Sequence, residues 1–126
     1  FVDGLEDGLK SHVAQGGTNF SGGQKQRLSI ARALCRAAEI LIFDDTFSAL
    51  DFKTDRELRD ALKAKTENET KLIVAQRIGT IMSADKIIVL DEGRQVGTGT
   101  HQELMKNCEV YRQIALSQLS EEELAI

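Results

Sequence analysis

The chain has 126 residues, of which 41% are hydrophobic and 29% are charged, and its formal net charge is -4. This composition is typical of one folded domain and excludes a disordered tail, and the negative charge argues against nucleic-acid binding through a basic patch. No apolar run approaches the roughly 20 residues that a membrane-spanning helix needs.

A glycine-rich turn precedes the first predicted helix. Gly16 and Gly17 are expected to form a turn, and Ser21 is followed three residues later by Gln24, which is the spacing of a capping box. The segment after this box predicts a helix, because apolar residues recur at helical spacing at Leu28, Ile30, Ala31 and Leu34.

The middle of the chain predicts a strand followed by a second helix. Ile40–Phe43 is a short apolar run, as expected for a strand covered on both faces. Residues 51–54 start the next helix, for which Thr54 and Glu57 have the spacing of a cap. The predicted inner stripe of this helix is formed by Leu58, Ala61 and Leu62.

Strands and helices also alternate in the C-terminal half. The predicted strands are Lys71–Ala75, Ile87–Leu90 and a hairpin partner at Gln95–Gly97. Thr100 and Glu103 cap a further helix, helical residues continue to about Leu119, and residues 121–123 are a solvated acidic tail. This order predicts an α/β fold with a mostly parallel sheet flanked by helices.

The turn at Ser21-Gly22-Gly23-Gln24 suits the binding of a phosphate. Glycine lets the backbone approach a ligand closely, the helix start presents free N–H groups, and the Ser21 hydroxyl is a hydrogen-bond donor. The structural alternative is a capped helix start after a flexible turn.

Two adjacent carboxylates follow the first strand. In parallel α/β folds, ligands lie beyond the carboxyl ends of the strands, and Asp44 at such an end is suited to bind Mg²⁺. Asp45 follows it, and its structural alternative is a turn cap. Cys35 and Cys108 have no C-x-x-C spacing and are expected to be free thiols, and we expect His101 to lie on the surface or at a cap.

In their order and spacing, these segments resemble the nucleotide-binding domain of ATP-binding-cassette (ABC) transporters of the exporter type. The corresponding segments are Phe20–Leu34 for the signature motif and its helix, Ile40–Asp45 for the Walker B strand, Ser48–Asp51 for the D-loop, Ala75–Arg77 for the switch-histidine loop, and Ala84–Gly93 with Gly99–Leu104 for the tail.

The resemblance implies that residues 1–126 are the C-terminal part of a P-loop ATPase domain. Residues 1–38 would be the signature-bearing helical part, and residues 39–126 the second half of the ATPase core. No G-x-x-x-x-G-K-[S/T] loop occurs in the chain, and the first residue is not Met. We therefore expect a piece of a longer protein, inactive as an ATPase when isolated.

The resemblance also implies ATP and Mg²⁺ as cofactors and assigns roles to individual residues. Asp44 would bind the metal, and Asp45 and Gln76 would be the catalytic residues. The cofactor-binding residues would be Ser21, Gly22, Gly23, Gln24 and Asp51, with the turn at residues 21–24 completing the ATP site of a second nucleotide-binding domain.

Two of these positions depart from the family pattern. Asp45 stands where Glu is usual, so its carboxylate is one methylene shorter than the usual general base. Gln76 stands where His is usual, and glutamine carries no titrating charge. This combination is similar to the degenerate-site subunit of a heterodimeric exporter, with a transmembrane domain as a further partner at the cytoplasmic face of the cell membrane.

Two alternatives to ATP-driven export stay open at the level of sequence. A fragment without the phosphate-binding loop could act as a non-catalytic scaffold that docks to transmembrane segments. A soluble ABC-type chromosome-maintenance or repair ATPase would share the signature and Walker B residues, but no heptad run appears here, and the exporter-like tail argues against it. The transported substrate is not encoded in these segments.

Overall fold

The chain forms two compact units, Phe1–Val74 and Ala75–Ile126. The computed structural model describes residues 1–124, without the side chains of Phe52, Glu121 and Glu122. The division between the units follows the second strand. The subdivision expected after residue 38 stays a prediction.

The first unit begins with short 3-10 turns and then a long helix, α1 (Gly22–Leu34). The turns lie at Val2–Gly4, Gly8–Lys10 and Gln15–Gly17. Asn19 stabilises the loop before α1, because its Oδ1 accepts from the Ala14 N–H at 3.1 Å and its Nδ2 donates to the His12 carbonyl at 3.0 Å. The range of α1 confirms the helix predicted after the capping box.

Two parallel strands, β1 (Ile40–Asp44) and β2 (Thr70–Val74), form the sheet of the first unit. The helix α2 (Phe52–Lys65) lies between them in sequence, as expected for a parallel pair, which needs a crossover connection. Strand β1 runs in register with β2, so that Ile40 lies opposite Thr70 and Asp44 lies opposite Val74.

Only one face of β1 is covered among the described residues, so the prediction of two covered faces is wrong. Leu41 and Phe43 are 5% and 4% exposed, whereas Ile40 and Ile42 on the other face are 61% and 66% exposed. Successive side chains of a strand point to opposite faces. When other elements pack against only one face of an apolar strand, the apolar side chains on its other face stay exposed. The buried core of this unit comprises Ile30, Leu41, Phe43, Phe47, Leu50 and Leu62.

The cap of α2 also differs from the prediction. Asp51, rather than Thr54, is the N-cap residue, and its carboxylate accepts from the Thr54 N–H at 3.0 Å. Asp51 and Thr54 are both residue types that cap helices. The structure uses Asp51, which comes first, so α2 begins at Phe52. Of the predicted inner stripe, Leu62 is buried and Ala61 is exposed.

The second unit contains an antiparallel hairpin, as predicted, and four helices within its described residues. The hairpin pairs β3 (Ile87–Asp91) with β4 (Arg94–Gly99), with an irregularity in register between Val89 and Leu90. The helices are α3 (Ile78–Ile81), α4 (His101–Asn107), α5 (Glu109–Gln118) and α6 (Glu121–Leu124). The acidic segment expected to be a solvated tail thus forms the short helix α6.

The core of the second unit includes a histidine. His101 lies at the start of α4, as predicted, but the alternative that it lies at the surface is wrong. His101 is 5% exposed, and its Nδ1 lies 2.8 Å from the hydroxyl of Tyr111, which is 2% exposed. Its Nε2 lies 3.3 Å from the carbonyl oxygen of Leu124. The capping box of Thr100 and Glu103 is confirmed, and it places the next residue, His101, on the first turn of α4. The apolar members of this core are Ile78, Ile87, Val89, Leu104, Cys108, Tyr111, Ala115 and Leu124.

Candidate functional site

The turn at residues 21–24 forms a reciprocal capping box at the start of α1. Ser21 Oγ accepts from the Gln24 N–H at 3.2 Å, and Gln24 Oε1 accepts from the Ser21 N–H at 2.8 Å. In these bonds the Ser21 hydroxyl is an acceptor, so its own proton remains a donor for a ligand. The N–H groups of the intervening Gly22 and Gly23 belong to the first turn, where a helix has no internal acceptors. The turn is therefore suited to bind an anion.

The glycines of this turn also pack against the segment that precedes α2. A Cβ atom on Gly23 would lie 3.3 Å from Leu50 Cδ2 and 3.4 Å from the Ala49 carbonyl oxygen, and one on Gly22 would lie 3.7 Å from Ala49 Cβ. The segment Ser48–Asp51 thus contacts the start of α1. Sequence reasoning missed this contact between glycines and residues about 27 positions away, because neither segment carries a pairing signal of its own.

The loop before Ser21 is held by contacts that the sequence did not indicate. Lys25 Nζ donates to the Gly16 carbonyl at 3.1 Å. This bond links the start of α1 to the predicted glycine turn. The rings of Phe1 and Phe20 meet edge to face at 6.0 Å, and the Arg27 guanidinium lies 5.0 Å from the Phe1 ring centre. Phe20 therefore belongs to a packed cluster next to the capping box.

Asp44 and Asp45 lie at the carboxyl end of β1, as predicted. Both residues are exposed, and neither carboxylate has a hydrogen-bond or ion-pair partner among the described residues. The Asp45 N–H donates to the Val74 carbonyl at 3.0 Å, and its carbonyl oxygen accepts from Ser48 Oγ at 2.9 Å. Asp45 has a positive φ of 48°, a conformation that Asp adopts more readily than most residues.

These two carboxylates suit Mg²⁺, because it prefers oxygen ligands and usually takes only one or two carboxylates from the protein. No cluster of three or more His, Cys, Asp or Glu side chains that could hold a metal occurs in the described part of the chain. The other ligands of a magnesium ion held at Asp44 would be water and phosphate oxygens.

The carboxylate of Asp51 is already used within the protein. Its Oδ1 accepts from the Thr54 N–H at 3.0 Å and its Oδ2 from the Thr54 hydroxyl at 2.8 Å. The hydrogen bond from the Thr54 backbone, followed by that from its hydroxyl, lowers the pKa of Asp51 below its ordinary value. Asp51 is exposed, and each carboxylate oxygen keeps a second lone pair.

Gln76 lies in the second unit, two residues before α3 begins at Ile78. It is exposed, and its backbone carbonyl accepts a hydrogen bond of 2.8 Å from Nε2 of Gln118. The predicted residues Ser21, Gly22, Gly23, Gln24, Asp44, Asp45 and Asp51 all lie in the first unit. Sequence reasoning missed Gln118, since a single glutamine in a helix carries no motif.

Both cysteines are free thiols, as predicted, with Cys35 exposed and Cys108 buried. No helix within residues 1–124 has both the length and the apolar composition required to span a bilayer.

Comparison with known proteins agrees with these segments. The family model described as ABC transporter matches residues 3–48. The chain is 51% identical over 112 residues, or 89% of its length, to an uncharacterized ABC transporter ATP-binding protein of Mycobacterium bovis, and covers 19% of that protein. It is 44% identical over 119 residues, or 94% of its length, to the ATP-dependent lipid A-core flippase of Francisella tularensis, and covers 20% of it.

A solved structure shows the same fold. The structure of a bacterial Atm1-family ABC exporter with ATP bound matches 90% of the chain with a TM-score of 0.86 and 36% sequence identity, and the chain covers 20% of it. The chain thus spans about a fifth of the length of the relatives it matches. Its mixed α/β architecture is that of the ATPase domain of such exporters, and the chain belongs to the family of ABC transporter ATP-binding domains.

Proposed function

We propose that this chain is the signature-bearing part of an exporter's ATPase domain, in which ATP binding and hydrolysis drive the export of a substrate. The observation that carries the proposal is the capping box at Ser21–Gln24. It offers a hydroxyl and helix N–H groups for an anion, in the same unit as the exposed residues Asp44 and Asp45. The named relatives are transporter proteins, which favours export over chromosome maintenance.

Each residue then has a defined task. Asp44 holds Mg²⁺, Asp45 orients the water that attacks ATP, and Gln76 hydrogen-bonds the γ-phosphate. The turn at residues 21–24 binds the ATP held by a second nucleotide-binding domain. Asp51 orders the segment before α2 through Thr54, and the remaining lone pairs of its carboxylate are available to the ligand.

We further propose that the chain's own site binds Mg-ATP and hydrolyses it slowly, while its signature turn serves a competent site in a different subunit. The short carboxylate of Asp45 and the neutral amide of Gln76 both weaken the activation of water. The capping box, in contrast, is complete. The partners are therefore a second, non-identical nucleotide-binding domain and a transmembrane domain, at the cytoplasmic face of the membrane.

The slow site is tested by single-turnover hydrolysis in the complete dimeric transporter. Asp45→Glu combined with Gln76→His is expected to raise the rate at this chain's site by about tenfold or more, because general-base catalysis contributes about 10²–10⁴-fold. An unchanged rate would show that these two positions do not limit hydrolysis.

The signature turn is tested with Ser21→Asp. Aspartate is as good an N-cap as serine, so α1 is expected to stay intact, while the new negative charge repels a phosphate. Turnover at the partner's site should fall by about tenfold or more, since charge-assisted hydrogen bonds contribute roughly 1.5–3 kcal/mol. Ser117→Asp, which adds the same charge on the exposed surface of α5, is the control. Equal turnover in both variants would refute the role of the turn.

The chain contains no phosphate-binding loop, and we propose that by itself it does not turn over ATP. Titration of the chain with ATP, compared with the complete transporter, is expected to show weak binding and no hydrolysis. Hydrolysis by the isolated chain would contradict this.

A further inference from the structure

We propose that Gln118 is a positioning residue, which holds the loop of Gln76 in the orientation that lets this chain distinguish ATP from ADP. This inference rests on the proposed role of Gln76 at the γ-phosphate. Gln118 is the last residue of α5 and lies 42 positions from Gln76 in sequence. Both residues belong to the second unit.

The side-chain amide of Gln118 bonds to both sides of Arg77. Its Nε2 donates to the Gln76 carbonyl oxygen at 2.8 Å, and its Oε1 accepts from the Ile78 N–H at 2.9 Å. One of these backbone groups only accepts and the other only donates, so a single orientation of the amide satisfies both. The two bonds together therefore restrain the peptide units on either side of Arg77.

The bond to Ile78 also supplies a missing helix cap. Ile78 is the first residue of α3, and the N-cap residue Arg77 makes no side-chain cap bond. The first N–H groups of a helix have no partner within the helix. Gln118 thus caps α3 from a distant part of the chain, and it fixes where the loop ends and α3 begins.

The helix that carries this amide is anchored in the core, although Gln118 itself is exposed. Helix α5 buries Tyr111 and Ala115, which are 2% and 0% exposed, in the core of the second unit. The side chain of Gln76 is exposed, in contrast. An exposed side chain that must reach a phosphate oxygen needs a defined backbone, because a displacement of about 1 Å removes a hydrogen bond. Gln118 restrains this backbone through its bonds to Gln76 and Ile78.

The first test measures hydrogen exchange of the Ile78 amide in the complete transporter. Gln118→Ala removes the acceptor, so exchange of this amide should accelerate by about fivefold or more. Gln118→Glu keeps an acceptor and should preserve most of the protection. Gln113→Ala is the matched control, because Gln113 lies on the same helix and its side-chain amide donates to Glu109 within that helix, at 3.0 Å. Unchanged exchange in Gln118→Ala would overturn the inference.

The second test measures the ratio of the affinities for a non-hydrolysable ATP analogue and for ADP at this chain's site. Loss of one hydrogen bond to the γ-phosphate corresponds to about a three- to tenfold fall. We expect this fall in Gln118→Ala and in Gln118→Glu, which loses the donor to Gln76, with ADP affinity unchanged. Gln113→Ala should keep the native ratio.

A double substitution separates positioning from general stability. If Gln118 acts through the side chain of Gln76, Gln118→Ala causes no further fall in the ratio when Gln76→Ala is already present. An equal further fall would show a merely structural role and overturn the inference. If Gln76→Ala alone leaves the ratio unchanged, the proposed role of Gln76 fails, and the inference fails with it. If Gln76→Ala lowers the ratio and Gln118→Ala does not, only the positioning role fails.

Discussion

Gly23 lies so close to Leu50 that a Cβ atom on the glycine would come within 3.3 Å of Leu50 Cδ2. Gly23 is in the first turn of α1, and Leu50 is a buried residue of the segment before α2. The two glycines therefore differ in their surroundings: Gly23 lies tightly against the segment before α2, whereas Gly22 has room for a Cβ atom.

The two glycines predict different outcomes for the same substitution. Gly22→Ala meets only an ordinary contact of 3.7 Å and should leave the free energy of unfolding unchanged or raise it by up to about 1 kcal/mol, since Ala favours a helix. Gly23→Ala forces Leu50 to move and should be less stable than Gly22→Ala by about 1 kcal/mol. Urea unfolding of both variants measures this difference, and equal stabilities would contradict the close packing.

The backbone conformation of Asp45 predicts different stabilities for Asn and Glu at this position. Its φ of 48° is tolerated by Asp and Asn but costs more for other residues. Asp45→Asn should therefore change the free energy of unfolding by less than about 0.5 kcal/mol, and Asp45→Glu should lower it by about 1 kcal/mol. Thermal unfolding of both variants measures the effect. A lower stability for Asn than for Glu would rule out this backbone conformation.

The exposed face of β1 predicts that substitutions at the adjacent residues Leu41 and Ile42 have different effects on stability. Ile42 is 66% exposed, so Ile42→Lys should change the free energy of unfolding of the 126-residue chain by less than about 0.5 kcal/mol. Leu41 is 5% exposed, and Leu41→Ala should lower it by about 2–5 kcal/mol. Chemical denaturation gives both values. A large loss for Ile42→Lys would mean that this face is covered in solution.

Gly97 predicts a rescue experiment. A Cβ atom on Gly97 would lie 2.8 Å from Cys108 Sγ and 3.1 Å from Leu104 Cδ2, so Gly97→Ala should lower the free energy of unfolding by about 1–3 kcal/mol. Cys108→Ala removes the sulfur. The double variant should therefore be less destabilised than the sum of the two single variants, as measured by urea unfolding. Additive losses would show that the sulfur is not the obstacle.

Tyr111 predicts a loss of stability at high pH. Burial raises the pKa of Tyr111 above its ordinary value of about 10, so the unfolded chain loses this proton first. Its contribution is complete below pH of about 10 and declines as pH rises further, by up to about 1.4 kcal/mol per pH unit. Tyr111→Phe should abolish this decline. At neutral pH the same variant should cost about 1–3 kcal/mol, because His101 Nδ1 loses its buried partner. An alkaline decline that persists in Tyr111→Phe would have another origin.

Much of the fold follows from local patterns. The capping boxes at Ser21 and Thr100, the apolar strand ending at Asp44 and the hairpin of β3 and β4 all depend on residues within a few positions of one another. Local hydrogen bonds and side-chain periodicity act over this range. The two expectations that proved wrong for α2 and β1 involve choices between equally good local signals, or the absence of a second layer.

By itself, the sequence determined the family, most of the elements and the chemical types of the candidate site residues, because these depend on short motifs in a fixed order. Only the tertiary structure decided which residues support them. The contact of Gly23 with Leu50, the burial of His101 against Tyr111 and the two bonds of Gln118 around Arg77 join segments 10 to 42 positions apart. Such contacts arise from the packing of whole elements, and no local spacing encodes them.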